Sequence, residues 1–214
     1  MSHDVIGAVL AGGLGRRIGG NKPSLPVGDQ TLVRHSVDAL RRANLDVVLV
    51  LRPGQPVPLT SHTAAIVRDQ VESAGPLGGL HALLTWLPTQ WALVIACDQP
   101  FLSPALLQAL LAKAPLDVDV DVVCGQPANA LEPFPGLYRR SCLPAIEEML
   151  ARGARSLQDF LAVARTEALP SERVRRWDPE LLSYLNVNTP EDLAGARAIA
   201  ARLSASPGRC NERR

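Results

Sequence analysis

The chain has 214 residues, of which 47% are hydrophobic and 20% charged, and its 22 basic and 21 acidic side chains leave a formal net charge of +1. These values fit one sizeable globular domain and exclude disorder across the whole chain. The balanced charge gives no electrostatic reason to expect a nucleic-acid partner, so any anion site has to be local.

Met1-Ser2-His3-Asp4 lacks the basic region and long apolar core of a signal peptide. Val5–Leu10 is a short apolar run ending in glycines, and its length and β-branched residues predict a buried strand. In Thr31–Ala43, Val33, Val37 and Leu40 recur at helical spacing and form one apolar face. Val47–Leu51 and Trp91–Cys97 are two more apolar strands, and Ala65–Arg68 is a shorter run followed by Asp69. Continuous apolar strands of this kind suit a parallel sheet covered on both faces. Ser103-Pro104 opens a helix, with serine as cap and proline in the first turn, and Leu106, Leu107, Leu110 and Leu111 form its stripe. Asp117–Val123 alternates strictly and predicts a strand with one wet face; Gln126–Pro135, with three prolines, predicts a loop. Thr189-Pro190-Glu191-Asp192 predicts a capped helix start, followed by Leu193, Ala196, Ile199 and Leu203 on one face. Alternating strands and helices predict an α/β fold with a mostly parallel sheet. The polar segment 204–214 is expected to be a mobile tail after a single domain spanning 1–203.

No apolar run reaches the roughly 18 residues of a transmembrane helix, so no membrane association is expected. Cys97, Cys124, Cys142 and Cys210 form no CxxC pair. They read as reduced thiols of a cytoplasmic protein rather than zinc ligands or a disulfide framework. His3, His35, His62 and His81 do not cluster, and no Gly-x-Ser-x-Gly motif occurs, so covalent catalysis is not indicated. Trp86, Trp91 and Trp177 are expected to pack.

Four segments can carry chemistry. Leu10–Lys22 follows a strand, and its glycines allow backbone N–H groups to approach an anion while Arg16, Arg17 and Lys22 supply positive charge. It matches neither the P-loop nor the dinucleotide fingerprint, and a flexible connection with solvated basic residues is the competing reading. Asp98 follows the third apolar strand, where open α/β sheets bind ligands. It can hold Mg²⁺ with phosphate oxygens, or serve as a turn residue before Pro100. Gly75-Pro76-Leu77-Gly78-Gly79-Leu80 opens a helix whose N–H groups can face a nucleotide, or whose glycines only permit close packing. Asp69, six residues earlier, can accept hydrogen bonds from a base or ribose, or be a solvated loop acid. In Leu185–Pro190, Asn186 and Asn188 alternate with apolar residues and point to one side; they can donate to a ligand or satisfy backbone groups.

In this order the segments resemble a known family. Leu10–Lys22 looks like the LAGG-x-x-x-R-x-G-x-x-K signature of nucleotidyltransferases with a Rossmann-like fold. Gly75–Leu80, Cys97–Pro100 and Asn186–Asp192 (NVNTPED) resemble the molybdenum cofactor guanylyltransferases. The resemblance implies a three-layer, Rossmann-like nucleotide-diphosphosugar transferase fold. It also implies Mg²⁺-dependent transfer of GMP from GTP to the phosphate of molybdenum-bound molybdopterin, with release of pyrophosphate. By this resemblance Leu10, Ala11, Gly12 and Gly13 contact the nucleotide through their backbone, with Gly78 at the helix entry and Asp69 in the GTP pocket. Arg17 and Lys22 face the phosphates, Asp98 is the Mg²⁺ ligand, and Asn186 and Asn188 lie near the second substrate. Other molybdenum cofactor proteins, or a molybdoenzyme that receives the product, are the implied partners.

Two departures set the alternatives. The family usually places an asparagine just after the second strand, where this chain reads Leu51-Arg52-Pro53-Gly54. Asp98-Gln99-Pro100 is common in the related molybdenum cofactor cytidylyltransferases, although those usually begin the loop with an Ala-Ala-Gly-type triplet where this chain has Ala11-Gly12-Gly13. Cytidylyl transfer, transfer to a sugar phosphate, and a cofactor-binding chaperone without catalysis are the competing readings. Intact Arg17, Lys22 and Asp98 argue against the last, and NVNTPED against a sugar phosphate.

Overall fold

A computed structural model describes residues 5–13, 15–58, 65–69, 75–114 and 119–205, without the side chain of Arg16. Strand β1 (Val5–Leu10) leads through the glycine-rich loop to a small hairpin, β2 (Pro26–Val27) and β3 (Gln30–Thr31). Helix α1 (Leu32–Arg42) follows, then β4 (Val47–Leu51) and β5 (Ala65–Arg68). Helix α2 (Gly75–Trp86), β6 (Trp91–Ala96) and α3 (Pro104–Leu111) complete the alternating part. Strands β7 (Val122–Gln126) and β8 (Glu132–Arg139) precede α4 (Leu143–Ala151), α5 (Leu157–Val163), β9 (Thr166–Pro170), α6 (Ser171–Trp177) and α7 (Pro190–Ala205).

Seven strands form one sheet in the order β5-β4-β1-β6-β8-β7-β9. Strands β5, β4, β1 and β6 are parallel, β8 runs antiparallel to both β6 and β7, and β9 is parallel to β7. The two-residue period of a strand sorts the apolar runs onto two faces. Val47, Leu49 and Leu51 join the core cluster that includes residues of α1, α3 and α6, whereas Val48 and Val50 join the one that includes residues of α2, α4 and α5. A strand between two helical layers has no wet face, which is why β4 reads VVLVL. The architecture is the expected three-layer, Rossmann-like α/β fold. A third cluster packs α7 on the β2–β3 hairpin through Val27, Leu32, Leu193, Ala196 and Ala200.

The Ser103 side chain caps α3 as expected. Its oxygen accepts from the Leu106 N–H at 3.4 Å and its hydroxyl donates to the Trp177 carbonyl at 2.6 Å. Ser103→Ala removes both bonds and is expected to cost about 1–2 kcal/mol, read as a lower urea midpoint at unchanged slope.

Four expectations are corrected. The strand expected over Asp117–Val123 begins only at Val122 and extends to Gln126; Asp117 and Val118 lie outside the described residues. It pairs on both sides, so it has no place for alternating aspartates. Asp121 stands just before it, and hydrogen bonds from Arg165, at 2.7 and 2.9 Å, hold its carboxyl below the usual carboxylate range. The loop expected over Gln126–Pro135 shrinks, because Gln126 ends β7 and Glu132–Pro135 begin β8. Pro133 and Pro135 are tolerated there because pairing to β6 starts only at Gly136. Helix α7 runs to Ala205, past the expected boundary at 203, while 206–214, with Cys210, lie outside the described residues; Leu203 is exposed and Ala200 takes its place on the apolar face. Trp91 is buried and Trp177 packs on the core, but Trp86 is exposed.

Cys97, Cys124 and Cys142 are free and buried, and burial pushes each thiol up to about 12. Among the described residues no helix is long and apolar enough to cross a membrane.

Candidate active site

The carboxyl ends of β1, β4, β5 and β6 open on a cavity of about 890 Å³. Its floor is the glycine-rich loop. Where β1 ends, the Ala11 N–H donates to the Val50 carbonyl at 2.9 Å and the Ala11 carbonyl accepts from Gln55 Nε2 at 2.9 Å. These bonds lock the first turn and present the Gly12 and Gly13 backbone to the cavity. Gly15 has φ +56°, and a Cβ there would stand 2.8 Å from Lys22 Cβ, so glycine lets the chain fold back and bring Lys22 inward.

Lys22 is the buried cation of the site. Its Nζ donates to Asp98 Oδ2 at 2.5 Å and to Asn188 Oδ1 at 2.7 Å. The two charged side chains keep only 8% and 18% of their exposure. One ion therefore ties together the glycine-rich loop, the end of β6 and the Asn186–Asn188 segment, which are 76 and 166 residues apart from it in sequence. That segment is fixed independently. The Val187 N–H donates to the Asp98 carbonyl at 3.0 Å. Asp192 Oδ2 accepts from the N–H groups of Asn188 and Thr189 at 2.9 Å each, which lowers the Asp192 pKa. The Asp192 N–H in turn donates to Thr189 Oγ1 at 3.1 Å, completing a reciprocal helix cap.

Most of the expected site residues meet here. Leu10, Gly12, Gly13, Lys22, Asp69, Asp98, Asn186 and Asn188 all line the cavity. Asp69 is buried rather than a solvated loop acid, and its N–H donates to the Leu51 carbonyl at 2.9 Å. Three expected residues lie off the cavity wall. Ala11 is a core residue whose backbone N–H and carbonyl bond within the protein. Gly78 is buried inside α2, and one residue later Gly79 reaches the cavity, because successive helical positions differ by about 100°. Arg17 is exposed on the turn after Gly15 and is not part of the cavity wall. His81 also stays off the wall and faces Glu147 at 3.7 Å.

Several wall residues went unassigned in the sequence. Arg52 follows β4, and its aliphatic stem lies over Gly12, where a Cβ would come within 3.1 Å of Arg52 Cγ. Its Nε is buried without a hydrogen-bond partner among the described residues. Gln99 is buried; its Oε1 accepts from the Ala96 N–H and its Nε2 donates to the Phe134 carbonyl at 2.9 Å, joining β6 to β8. Glu132, Pro133 and Phe134 form the wall on that side. Arg52 lies in the segment where the family's asparagine is missing, a signal that could have found it, whereas nothing local distinguishes Glu132 in a proline-rich segment.

Chemically the site is an anion cradle with one buried ammonium, a carboxylate beside it and open backbone groups. Among the described residues it offers no activated nucleophile: Cys97 lines the cavity, but burial first, and then the charge of Asp98, keep it a thiol at neutral pH.

Comparison with known proteins agrees with this geometry. Residues 7–169 match the model of the MobA-like NTP transferase domain. A molybdenum cofactor guanylyltransferase from Desulfosudis oleivorans is 32% identical over 203 residues, covering 94% of this chain and 98% of that protein. A probable molybdenum cofactor guanylyltransferase from Chloroflexus aggregans is 35% identical over 191 residues, covering 87% and 90%. Among solved structures, the molybdopterin-guanine dinucleotide biosynthesis protein A from Archaeoglobus fulgidus superposes with a TM-score of 0.76 at 27% identity, covering 92% of this chain and 98% of that one. The 2-C-methyl-D-erythritol 4-phosphate cytidylyltransferase from Thermus thermophilus, at 19% identity and a TM-score of 0.67, with 91% of this chain and 98% of that one covered, shares the fold. The chain belongs to the MobA-like NTP transferases and is a nucleotidyltransferase.

Proposed function

We propose that the chain transfers GMP from GTP to the phosphate of molybdenum-bound molybdopterin and releases pyrophosphate, as a cytoplasmic enzyme with one catalytic domain. The observation that carries this is the Lys22–Asp98–Asn188 cluster, which joins a triphosphate cradle to the NVNTPED segment in one cavity. The names of the sequence relatives support the same acceptor.

In this reading the backbone of Leu10, Gly12 and Gly13 holds the nucleotide, Asp69 accepts from the base or ribose, and Lys22 neutralises the phosphates. Arg17, exposed on the turn after Gly15, is a further cation that this loop offers to the phosphates. Asn186 and Asn188 orient the acceptor phosphate. An oxygen of that phosphate attacks the α-phosphorus of GTP, and the bond to the β-phosphate breaks. The attacking oxygen is already ionised, so the site needs no general base, and positioning with charge neutralisation is sufficient.

The donor set fits Mg²⁺. Among the described residues no group of three or more His, Cys, Asp or Glu side chains could hold a metal. A single carboxylate, Asp98, beside the phosphate cradle suits Mg²⁺, which commonly takes one or two carboxylates and completes its shell with phosphate oxygens and water. Asp98 would hold it, and when bound it would supply charge neutralisation of the triphosphate and polarisation at the α-phosphate.

Base selection falls to the wall made by Arg52 and Asp69. A guanidinium can donate to guanine O6 and N7, a pair that cytosine lacks. With molybdenum-bound molybdopterin as acceptor, GTP is expected to support pyrophosphate release and CTP to fail. Arg52→Ala is expected to cut the GTP-over-CTP ratio of kcat/KM about tenfold, within the 1–3 kcal/mol of such a contact. Turnover with CTP in place of GTP would reassign the chain to cytidylyl transfer.

A further inference from the structure

The cavity has two ends, separated by Asp98. Strands β1, β4 and β5 bring Gly12, Arg52 and Asp69 to one side of it. On the other side lies β8, which runs antiparallel to β6. Its paired residues descend from Val94↔Gly136 to Trp91↔Arg139, so the residues before Gly136 return to the edge where β6 ends. Glu132, Pro133 and Phe134 thus face the cavity from the side opposite the base pocket, held there by the bond from Gln99 to the Phe134 carbonyl.

Glu132 is half-buried in this wall, and its carboxylate has no hydrogen-bond or ion-pair partner among the described residues. Burial raises its pKa, the mark of a carboxylate poorly solvated and not compensated by the protein. The local backbone is built around this position. The β7–β8 register shifts between Cys124 and Gly125, directly where Gly125 pairs with Glu132. Such irregularities re-aim side chains beside binding sites. A larger residue at Gly125 would displace the Tyr184 ring, because a Cβ there would stand 2.0 Å from the Tyr184 hydroxyl. Tyr184 in turn begins the stretch that carries Asn186 and Asn188, and its carbonyl accepts from Asn186 Nδ2 at 3.3 Å.

We infer that Glu132 binds the 2-amino-4-oxopyrimidine edge of the acceptor's pterin, accepting from its ring N–H and its exocyclic amino group with its two carboxylate oxygens. The chemistry is that of a bidentate carboxylate facing two adjacent donors. Phe134 and Pro133 supply the apolar surface that a flat heterocycle needs beside such an edge. With the ring at Glu132 and the phosphate at Asn186 and Asn188, the acceptor lies across the half of the cavity that GTP leaves open. Guanine carries the same donor pair, but Arg52 and Asp69 occupy its end of the cavity. The inference rests on the molybdopterin reading for the identity of the acceptor.

The test compares wild type with Glu132→Gln, which keeps the shape and loses one acceptor. Fluorescence titration with pterin and with lumazine, which has a carbonyl in place of the 2-amino group, reads the edge directly. Wild type is expected to prefer pterin about tenfold or more, the scale of a charge-assisted hydrogen bond, and E132Q to lose that preference. In turnover, E132Q is expected to raise KM for molybdenum-bound molybdopterin at least tenfold while KM for GTP holds. Equal binding of pterin and lumazine by wild type, or an unchanged preference in E132Q, overturns the assignment. A rise in KM for GTP alone moves Glu132 to the nucleotide and also overturns it. Absence of GTP-dependent pyrophosphate release by wild type defeats the guanylyl reading separately, and the pterin–lumazine pair still decides Glu132.

Discussion

Asp98→Ala is expected to lower kcat/KM for GTP about a thousandfold or more, the scale of losing a preorganised charge at a phosphoryl centre. The same change should also destabilise the protein. Asp98 accepts from Lys22 at 2.5 Å, and Lys22 is almost wholly buried. Removing one partner of a buried pair leaves the other charge uncompensated and costs about 3 kcal/mol. For a chain of this size that is a fall of about 6–12 °C in Tm. Asp98→Asn separates the two effects. Its amide oxygen can still accept from Lys22 but carries no counter-charge, so thermal stability should return in part while turnover stays lost. Wild-type turnover in Asp98→Ala at ordinary Mg²⁺ would falsify a catalytic role for Asp98.

Lys22→Ala is expected to cost about a hundredfold in kcat/KM, because the cradle loses its buried cation. It should also raise KM for GTP and weaken the tie between the glycine-rich loop and Asn188, to which Lys22 donates at 2.7 Å. Lys22→Arg is not expected to restore activity. The Lys22 ammonium donates to Asp98 at 2.5 Å and to Asn188 at 2.7 Å in a buried setting, and a longer planar guanidinium does not reproduce both contacts of a compact ammonium. The double variant Lys22→Ala/Asp98→Ala gives the decisive comparison. Its stability loss should be smaller than the sum of the single losses, since both charges leave together. Strict additivity would mean that the two side chains do not interact in solution.

Much of this was legible before any coordinates. The runs VIGAVL, VVLVL and WALVIA could be read as strands covered on both faces because their apolar residues are continuous, and the sheet uses them that way. The Ser103 and Thr189 caps were legible because capping is a local exchange of hydrogen bonds within four residues. The second half was not. The aspartates lie before β7 and prolines interrupt β8, and pairing to neighbours distant in sequence overrides local preference there.

The order of the motifs in the chain was enough to indicate the nucleotidyltransferase family and a cradle from Leu10 to Lys22, because the backbone requirements of that loop are written in its glycines. The tertiary structure alone decided what those residues touch. It put Lys22 on Asp98 and Asn188, moved Ala11 into the core, exchanged Gly78 for Gly79, and left Arg17 outside. It also delivered Glu132 to the cavity, because the direction of β8 depends on its pairing with β6, and strand pairing is a contact between distant segments that no local pattern encodes.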